Sequence, residues 1–170
     1  DFFFPLVDSP YLQGRIGAAN VLSDLCAEGV RGCDFVLMSL AACTTMPPAV
    51  RTRCTEEMVR GFRDACREAG TVVTGGQTVL NPWPMIGGVA TAVVDEDGYV
   101  PCDGARVGHV VVLTKPLGTQ VAVNAHQWKR QRSPLWNTCD GVLTEETADD
   151  MTHAAIESMA RLNTNAGALM

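Results

Sequence analysis

Several common features are missing from this sequence, and each absence excludes a class of protein. No apolar run approaches the about 20 residues that a membrane-spanning helix needs. Lys and Arg number 13 against 19 Asp and Glu, which gives a net charge of −6. Surfaces that bind nucleic acid or anionic membranes carry the opposite charge. We therefore expect neither a nucleic-acid nor a membrane partner, although a nucleotide can still bind when a metal cation screens its phosphates.

The common catalytic and phosphate-binding motifs are also missing. The chain has no GxxxxGK[ST] loop, no GxGxxG fingerprint and no GxSxG elbow, so any nucleotide site must be of a different type. It contains seven cysteines, an odd number without CxxC spacing, and this pattern indicates neither a zinc site nor a disulfide framework. We expect most of them to be buried thiols in a reducing compartment, the cytoplasm.

The start of the chain predicts a fragment. Asp1 opens the apolar run DFFFPLV without a preceding Met, whereas natural termini are usually polar and frayed. The run has neither the basic region nor the small-residue cleavage site of a signal peptide. The closing stretch, MARLNTNAGALM, ends a helix whose apolar stripe has little chain left to pack against, so we expect the sequence to stop inside a second domain.

Apolar periodicity and turn residues predict the secondary structure of the first half. DFFFPLV is predicted to be a strand, and Pro5 suggests a sheet edge. A helix is expected from Tyr11 to Ala27, ending at Gly29. CDFVLMSLAAC indicates a buried strand. A second helix is predicted from a Thr44 or Thr45 cap to about Ala69; its apolar stripe is Val50, Cys54, Met58 and Phe62.

Three more strands and two helices are predicted in the second half. The strands are TVVTGGQTVL, MIGGVATAVVD and HVVVLTKPLG, with an NPWP turn between the first two. The helices run from Thr119 to Trp128 and from Thr144 to the chain end, and the basic segment KRQRSPLWN between them is taken as a solvated loop. Because the strands cluster after the second helix, we predict an α+β fold rather than a doubly wound parallel sheet.

Asn20 and Asp24 are the first candidate site residues. They lie four positions apart and so share one face of the predicted helix. Their oxygens are the ligands that Mg²⁺ prefers, together with phosphates and water. A cation there would also offset the unfavourable position of Asp24 near the helix C-terminus, which costs about 0.3–1 kcal/mol. The alternative is an exposed polar face on which Asp24 pairs with Arg or Lys.

Asp1 and the segment TGGQT are the other candidates. Asp1 stands at the end of a strand, where it is either a ligand to a metal or ribose or simply an exposed strand end. Two glycines inside a strand weaken packing and are tolerated where a ligand or another backbone approaches closely. Gln77 can both donate and accept hydrogen bonds. The alternative for this segment is a β-bulge.

Five segments in family order resemble selenophosphate synthetase, also called selenide, water dikinase. They are DFFFPLV, GRIGAANVLSDLCAEG, GGQTVLNPWPMIGG, VVLTKPLGTQVAVNAHQW and MARLNTNAGALM. GGQTVLNPWP and LTKPLG favour the eukaryotic type. The resemblance implies the N-terminal domain of the aminoimidazole ribonucleotide synthetase-like fold, with a mixed or antiparallel sheet flanked by helices. It implies residues 1–118 as an ATP-binding dimerisation domain, and 119–170 as a connector and the first helix of a second domain.

The resemblance also implies a reaction and a set of site residues. Selenide, ATP and water would give selenophosphate, AMP and orthophosphate, in a homodimer that pairs sheet to sheet as a shared β-barrel. Asp1 matches an aspartate that contacts ATP, and Asp24 one that contacts ATP through Mg²⁺. Gly75, Gly76, Gln77 and Thr78 match a segment that lines the nucleotide site from the partner subunit. Asn20 falls on the active-site helix.

Parts of the family pattern are not found here. The reactive cysteine or selenocysteine and its lysine would lie in a glycine-rich segment before Asp1, and two further metal-binding aspartates would lie outside the chain. We therefore predict that these 170 residues alone are inactive. A non-catalytic paralogue acting as a regulatory or interaction subunit is the alternative, and a purine-biosynthesis ligase of the same superfamily is a third.

Overall fold

A four-stranded mixed sheet organises the first part of the computed structural model, which describes residues 1–139 and 141–170. Its strands are β1 (Phe2–Phe3), β2 (Phe35–Cys43), β3 (Val73–Asn81) and β4 (Met85–Thr91). The spatial order is β1-β4-β2-β3. Strand β4 runs antiparallel to both β1 and β2, whereas β2 and β3 are parallel. The mixed sheet and the order of the elements confirm the α+β prediction, and β1 lies at an edge as Pro5 suggested.

Two long helices, α1 (Pro10–Ala27) and α2 (Pro48–Glu68), supply the other side of the core. Leu40 of β2 and Ile86 of β4 are paired, and both are buried in a cluster that includes Phe62 of α2 and Leu22 of α1. We call this side of the sheet the inner face. The opposite side, the outer face, carries Phe2, Leu37, Val79 and Val89, which are 43%, 39%, 46% and 57% exposed.

The two helices cross at a pair of glycines. A Cβ atom on Gly14 would lie 2.0 Å from the carbonyl oxygen of Met58, and one on Gly61 would lie 1.9 Å from that of Tyr11. Only glycine permits this backbone approach, because any other residue would place a carbon inside the contact distance of the facing helix. The crossing fixes α1 against α2 and thereby fixes the helix that carries Asn20 and Asp24.

The N-terminus of α2 differs from the prediction. Pro47 stands at the cap position without a side-chain hydrogen bond. The hydroxyls of Thr44 and Thr45 instead donate to the carbonyls of Asn81 and Pro82, because the end of β2 lies beside the end of β3.

The predicted apolar stripe of α2 is buried at only one end. Met58 and Phe62 are buried, whereas Val50 is 54% exposed. The first turn of α2 therefore contributes little to the core.

The strand predicted at HVVVLTKPLG is wrong for this structure. Residues 92–118 contain no strand, and Val110, Val111 and Val112 are exposed. A β-rich sequence needs a neighbouring strand to satisfy its backbone groups, and this run pairs with none of the strands described. The segment DEDG forms a turn, closed by a hydrogen bond from the Gly98 nitrogen to the Asp95 carbonyl.

The chain divides into two units. The first contains Asp1–Val112 and Arg161–Met170, and the second contains Leu113–Ala160. The second unit consists of α3 (Thr119–Arg130), α4 (Pro134–Asn137) and α5 (Glu145–Ala160). Among the residues described, no helix combines the length and the apolar content needed to cross a membrane.

The last helix does not run to the chain end as predicted. Helix α5 ends at Ala160, and a separate helix, α6 (Thr164–Leu169), follows. Tertiary contacts explain the break. The Asn163 side chain donates a hydrogen bond to Ser23 Oγ at 2.9 Å, and Leu162 packs against the core cluster of the first unit. Part of the stripe that lacked a predicted partner is thus covered by α1.

The basic segment is also more ordered than a solvated loop. Lys129 lies in the last turn of α3, and its Nζ is 2.6 Å from Asp149 Oδ1 of α5. This hydrogen bond and the positive charge lower the pKa of the Asp149 carboxyl. Lys129 therefore joins two helices of the second unit, which the composition of the segment did not indicate.

Candidate functional site

Helix α1 carries the predicted site residues because its two ends are well defined. Ser9 caps the N-terminus by accepting a hydrogen bond from the Leu12 nitrogen, and Pro10 occupies the first turn. The chain leaves the helix at Gly29, whose φ of 68° favours glycine. As the spacing predicts, Asn20 and Asp24 are exposed while Ile16 and Val21 are buried.

Asp1 is held beside this helix. Its backbone pairs with Gly88 of β4, with the Asp1 nitrogen 3.0 Å from the Gly88 carbonyl and the Gly88 nitrogen 2.8 Å from the Asp1 carbonyl. Its carboxylate accepts a hydrogen bond of 2.5 Å from Asn20 Nδ2. The structure therefore brings Asp1 and Asn20 together, with Asp24 one helical turn further along α1.

Two glycines of β4 permit close backbone contacts, Gly87 with Asp1 and Gly88 with Leu37 of β2, and their pattern in the sequence had not indicated this role. A Cβ atom on Gly87 would lie 1.8 Å from the Asp1 carbonyl oxygen, and one on Gly88 would lie 2.5 Å from that of Leu37. The sequence feature that could have indicated these contacts is the pair of adjacent glycines inside a predicted strand. The same feature made Gly75 and Gly76 candidate site residues.

The Asp24 carboxylate has no partner among the residues that the structure describes. The structure gives it no hydrogen bond or ion pair with any residue that it describes, so the pairing of Asp24 with Arg or Lys is not seen there. The last turn of α1 contains no basic residue. A carboxylate near the negative end of a helix therefore lacks compensation within the described chain.

Arg15, on the same helix, forms an ion pair with α2. Its Nη2 lies 2.5 Å from Glu68 Oε2 at the end of α2. The hydrogen bond with Glu68 raises the pKa of the Arg15 guanidinium despite partial burial. This ion pair ties α1 to α2 and leaves Arg15 unavailable to Asp24.

The donor atoms fit a magnesium ion that also binds phosphate. Asp24 offers two unpaired oxygens, and Asp1 keeps one oxygen that Asn20 does not engage. Mg²⁺ in nucleotide sites usually takes one or two carboxylates and completes its shell with phosphates and water. Within the described residues, no group of three or more His, Cys, Asp and Glu side chains forms a closed metal site.

The segment Gly75–Thr78 lies in β3, the exposed edge strand of the sheet. Gly76 has a φ of 139°, and a Cβ atom there would lie 1.7 Å from the Met38 carbonyl oxygen. The register also shifts between Val36 and Leu37. A contact within the chain thus accounts for Gly76, as the β-bulge alternative expected.

Gly75 and Gln77 remain available for a ligand or a partner. The nearest atom to a Cβ on Gly75 would be Leu37 Cδ2 at 3.6 Å. Gln77 is exposed on the outer face and makes no hydrogen bond with a described residue.

The candidate residues fall into two sets. Asp1 lies at the β1 edge of the sheet beside Asn20 of α1, whereas residues 75–78 lie in β3 at the opposite edge. Phe2 pairs with Gly87, Gly87 with Ser39, and Ser39 with Gln77. Three strand spacings of about 4.8 Å separate the ends of this row, a distance of about 14 Å. Within one chain, Gly75–Thr78 therefore cannot line the same small site as Asp1 and Asn20.

The thiols do not form a second site. None of the seven cysteines is joined in a disulfide. Cys26, Cys43 and Cys66 are buried, whereas Cys102 is exposed, so the expected burial holds for only some of them. Burial raises the pKa of the Cys66 thiol to about 12.

Comparison with known proteins agrees with this architecture. Residues 1–94 match the family described as "AIR synthase related protein, N-terminal domain". The chain is 54% identical over 171 residues to a selenide, water dikinase of Trypanosoma brucei brucei, covering 100% of this chain and 44% of that protein. It is 52% identical over 170 residues to selenide, water dikinase 2 of Homo sapiens, covering 100% and 38%. These relatives confirm the resemblance to selenophosphate synthetases, and the chain spans about two fifths of their length.

Solved structures share the fold at low identity. Thiamine-monophosphate kinase from Stenotrophomonas maltophilia superposes with a TM-score of 0.65 at 17% identity, covering 99% of this chain and 50% of that one. The enzyme from Aquifex aeolicus gives a TM-score of 0.62 at 20% identity, covering 89% and 47%. The mixed sheet flanked by helices is common to all three. Because the family match extends over residues 1–94 of 170, this chain belongs to the AIR synthase related protein family.

Proposed function

We propose that the protein containing this chain makes selenophosphate from selenide, ATP and water, with AMP and orthophosphate as the other products. The relatives named selenide, water dikinase match the whole chain at about half identity, and this similarity supports the proposed substrates. The observation that carries the proposal is the unpaired Asp24 carboxylate on α1, one turn beyond the Asn20–Asp1 hydrogen bond.

The nucleotide is proposed to bind at these residues through its phosphates. Mg²⁺, when bound with ATP, would neutralise phosphate charge and orient the phosphate to be transferred. Asp24 would supply an oxygen that no described residue engages. Asn20 holds the Asp1 carboxylate through one oxygen and leaves the other available to the metal or the nucleotide. AaThiL, a structural neighbour at 20% identity with a TM-score of 0.58, was solved as a complex with AMPPCP and TMP. This supports the binding of a nucleotide by a protein of this fold.

A second copy of the chain is proposed to complete the site. The outer face exposes Phe2, Leu37, Val79 and Val89, and apolar patches of this kind mark interaction surfaces. Pairing of two outer faces would form the shared barrel that the resemblance implies. It would also bring Gly75–Thr78 of one copy toward Asp1 of the other, which the separation of about 14 Å prevents within one chain.

Two further predictions accompany this proposal. No disulfide joins the seven cysteines, which is consistent with a reducing compartment, and we propose the cytoplasm. The 170 residues alone are proposed to lack activity, because the reactive residue of the family is expected outside them. Purified chain that forms AMP in a selenide-dependent reaction would overturn the latter.

The decisive test uses the full-length protein with Asp24→Ala. Selenide-dependent AMP and selenophosphate formation should fall by about 100-fold or more if Asp24 binds the metal, and the Mg²⁺ dependence should weaken. Glu56→Ala is the matched control, since Glu56 is an exposed carboxylate on α2. Equal activity of both variants would refute the metal role. A wild-type protein with no selenide-dependent turnover would favour the non-catalytic paralogue instead, and turnover of a formylglycinamidine substrate would favour the purine-biosynthesis ligase.

A further inference from the structure

Gln13 is a buried polar side chain with no role in the proposed chemistry. It lies on α1 and is 1% exposed. Its Oε1 accepts a hydrogen bond from the Leu6 nitrogen at 2.7 Å, and its Nε2 donates to the Phe4 carbonyl at 3.3 Å. Both partners belong to the segment that follows β1. One buried side-chain amide therefore satisfies a backbone donor and a backbone acceptor of this partly exposed segment.

The backbone after β1 depends on these hydrogen bonds with Gln13 because its pairing with β4 ends at β1. Strand β1 ends at Phe3, and Pro5 has no N–H to donate to a neighbouring strand. The Phe4 carbonyl and the Leu6 nitrogen flank this proline. The amide of Gln13 offers them the donor and the acceptor that a strand would offer, and so fixes the position of the segment relative to α1.

Asn20 lies two helical turns after Gln13, on the same side of α1. Gly17 stands between them, and a Cβ atom there would lie only 3.3 Å from Ile86 Cγ2 of β4. The helix thus approaches the sheet closely at Gly17 and holds the segment Asp1–Leu6 at both ends. Asn20 holds the Asp1 carboxylate, and Gln13 holds the backbone on either side of Pro5.

We propose that Gln13 is a positioning residue for the carboxylate of Asp1. This rests on the proposed function, in which Asp1 contacts magnesium-bound ATP. With the amide of Gln13 removed, the backbone around Pro5 loses two hydrogen bonds that no neighbouring strand replaces. The segment can then shift along α1, and the Asp1 carboxylate loses its position beside Asn20.

The test compares full-length variants of similar stability. Gln13→Met keeps the length of the side chain but removes both hydrogen bonds. Val36→Ala is the control, because Val36 is buried in β2 and pairs with β3 and β4 but not with β1. The probe is AMPPCP with Mg²⁺, whose Kd is measured by calorimetry, alongside KM for ATP and kcat. Gln13→Met should raise Kd and KM by about ten-fold, while Val36→Ala should leave both unchanged.

A double-mutant cycle separates positioning from a purely structural role. If Gln13 acts through Asp1, Gln13→Met should add no further loss of affinity in an Asp1→Ala background. Additive losses, or a Gln13→Met protein with wild-type Kd, would overturn the proposal. If Gln13→Met does not fold, Gln13→Glu takes its place in the same cycle. A wild-type protein that binds AMPPCP but makes no selenophosphate would refute the proposed function, and the cycle in Kd would still decide the role of Gln13.

Discussion

The side-chain amide of Asn20 donates a hydrogen bond of 2.5 Å to the carboxylate of Asp1. This contact joins a strand at the sheet edge to the face of α1 that also carries Asp24. Asp1 and Asp24 are distant in sequence, and each had a plausible interpretation as an ordinary exposed carboxylate. Asn20 supplies a donor to Asp1, whereas Asp24, one helical turn further along α1, has none among the described residues, and the proposed cation would compensate it.

The two glycines of the edge strand should respond differently to alanine. Gly76→Ala forces a Cβ atom toward the Met38 carbonyl and a φ of 139° that side chains rarely adopt, so it should lower the free energy of unfolding by about 1–3 kcal/mol. In Gly75→Ala the added Cβ atom meets only Leu37 Cδ2 at 3.6 Å. The free energy of unfolding should therefore change by less than about 1 kcal/mol. Urea unfolding of the full-length variants measures both. Equal destabilisation would contradict the bulge assignment.

The helix crossing should be sensitive to single methyl groups. Gly61→Ala and Gly14→Ala each place a carbon within 2.0 Å of a facing carbonyl oxygen. Each should destabilise the protein by about 3 kcal/mol or more, since backbone atoms cannot move aside as side chains do. Gly32→Ala is the control, because a Cβ atom there meets nothing within 4 Å. Thermal unfolding midpoints provide the comparison, and a stable Gly61→Ala protein would show that the helices cross at a greater distance.

The outer face should control the oligomeric state. Val89→Asp introduces a charge at the centre of the proposed pairing surface, and burying it would be costly, so the protein should sediment as a monomer. Val50→Asp is the matched control, since Val50 on α2 is 54% exposed and Val89 is 57% exposed. Val50→Asp should leave the sedimenting mass of the protein equal to that of the wild type. Sedimentation velocity on the full-length protein decides the matter, and a wild-type monomer at every concentration would refute the dimer.

The thiol of Cys66 should stay protonated through the working pH range. Burial raises its pKa from an ordinary 9.0 to about 12, so the thiolate fraction at pH 8 is about 1000-fold below that of an unperturbed thiol. Iodoacetamide at this pH should label exposed Cys102 rapidly and label Cys66 only after unfolding in urea, as read by mass spectrometry.

The same pKa shift predicts the pH dependence of stability. The unfolded chain releases the Cys66 proton at lower pH than the folded chain does. The contribution of Cys66 to stability is therefore complete below pH 9.0 and is lost as pH rises toward about 12. Cys66→Ala should remove this part of the pH dependence, and an unchanged profile would contradict the burial of the thiol.

Local patterns in the sequence were sufficient for the long elements of the first unit. Helix α1 was predicted to within a residue, because its apolar spacing, proline and final glycine all agree with one helix. Strands β2, β3 and β4 were also predicted, since their β-branched and apolar runs are bounded by turn residues. The exposure of Asn20 and Asp24 followed directly from helical periodicity.

Other features depended on partners that a local pattern does not reveal. The valines at 110–112 favour a strand, but no described strand lies beside them to pair with. The helix expected to continue beyond Ala160 breaks because Asn163 and Leu162 find partners on the first unit. Lys129 was interpreted as a solvated residue until Asp149 was seen beside it. Gln13 had no distinguishing neighbour in the sequence at all.

The sequence by itself determined the class of fold and supplied the candidate side chains for a metal-bound nucleotide, because periodicity and residue chemistry are local properties. The tertiary structure decided which of these side chains lie in contact. It brought Asp1 to Asn20, buried Gln13 against the segment around Pro5, and left Gly75–Thr78 at the far edge of the sheet. These relationships depend on strand order and helix crossing, which arise from contacts between residues far apart along the chain.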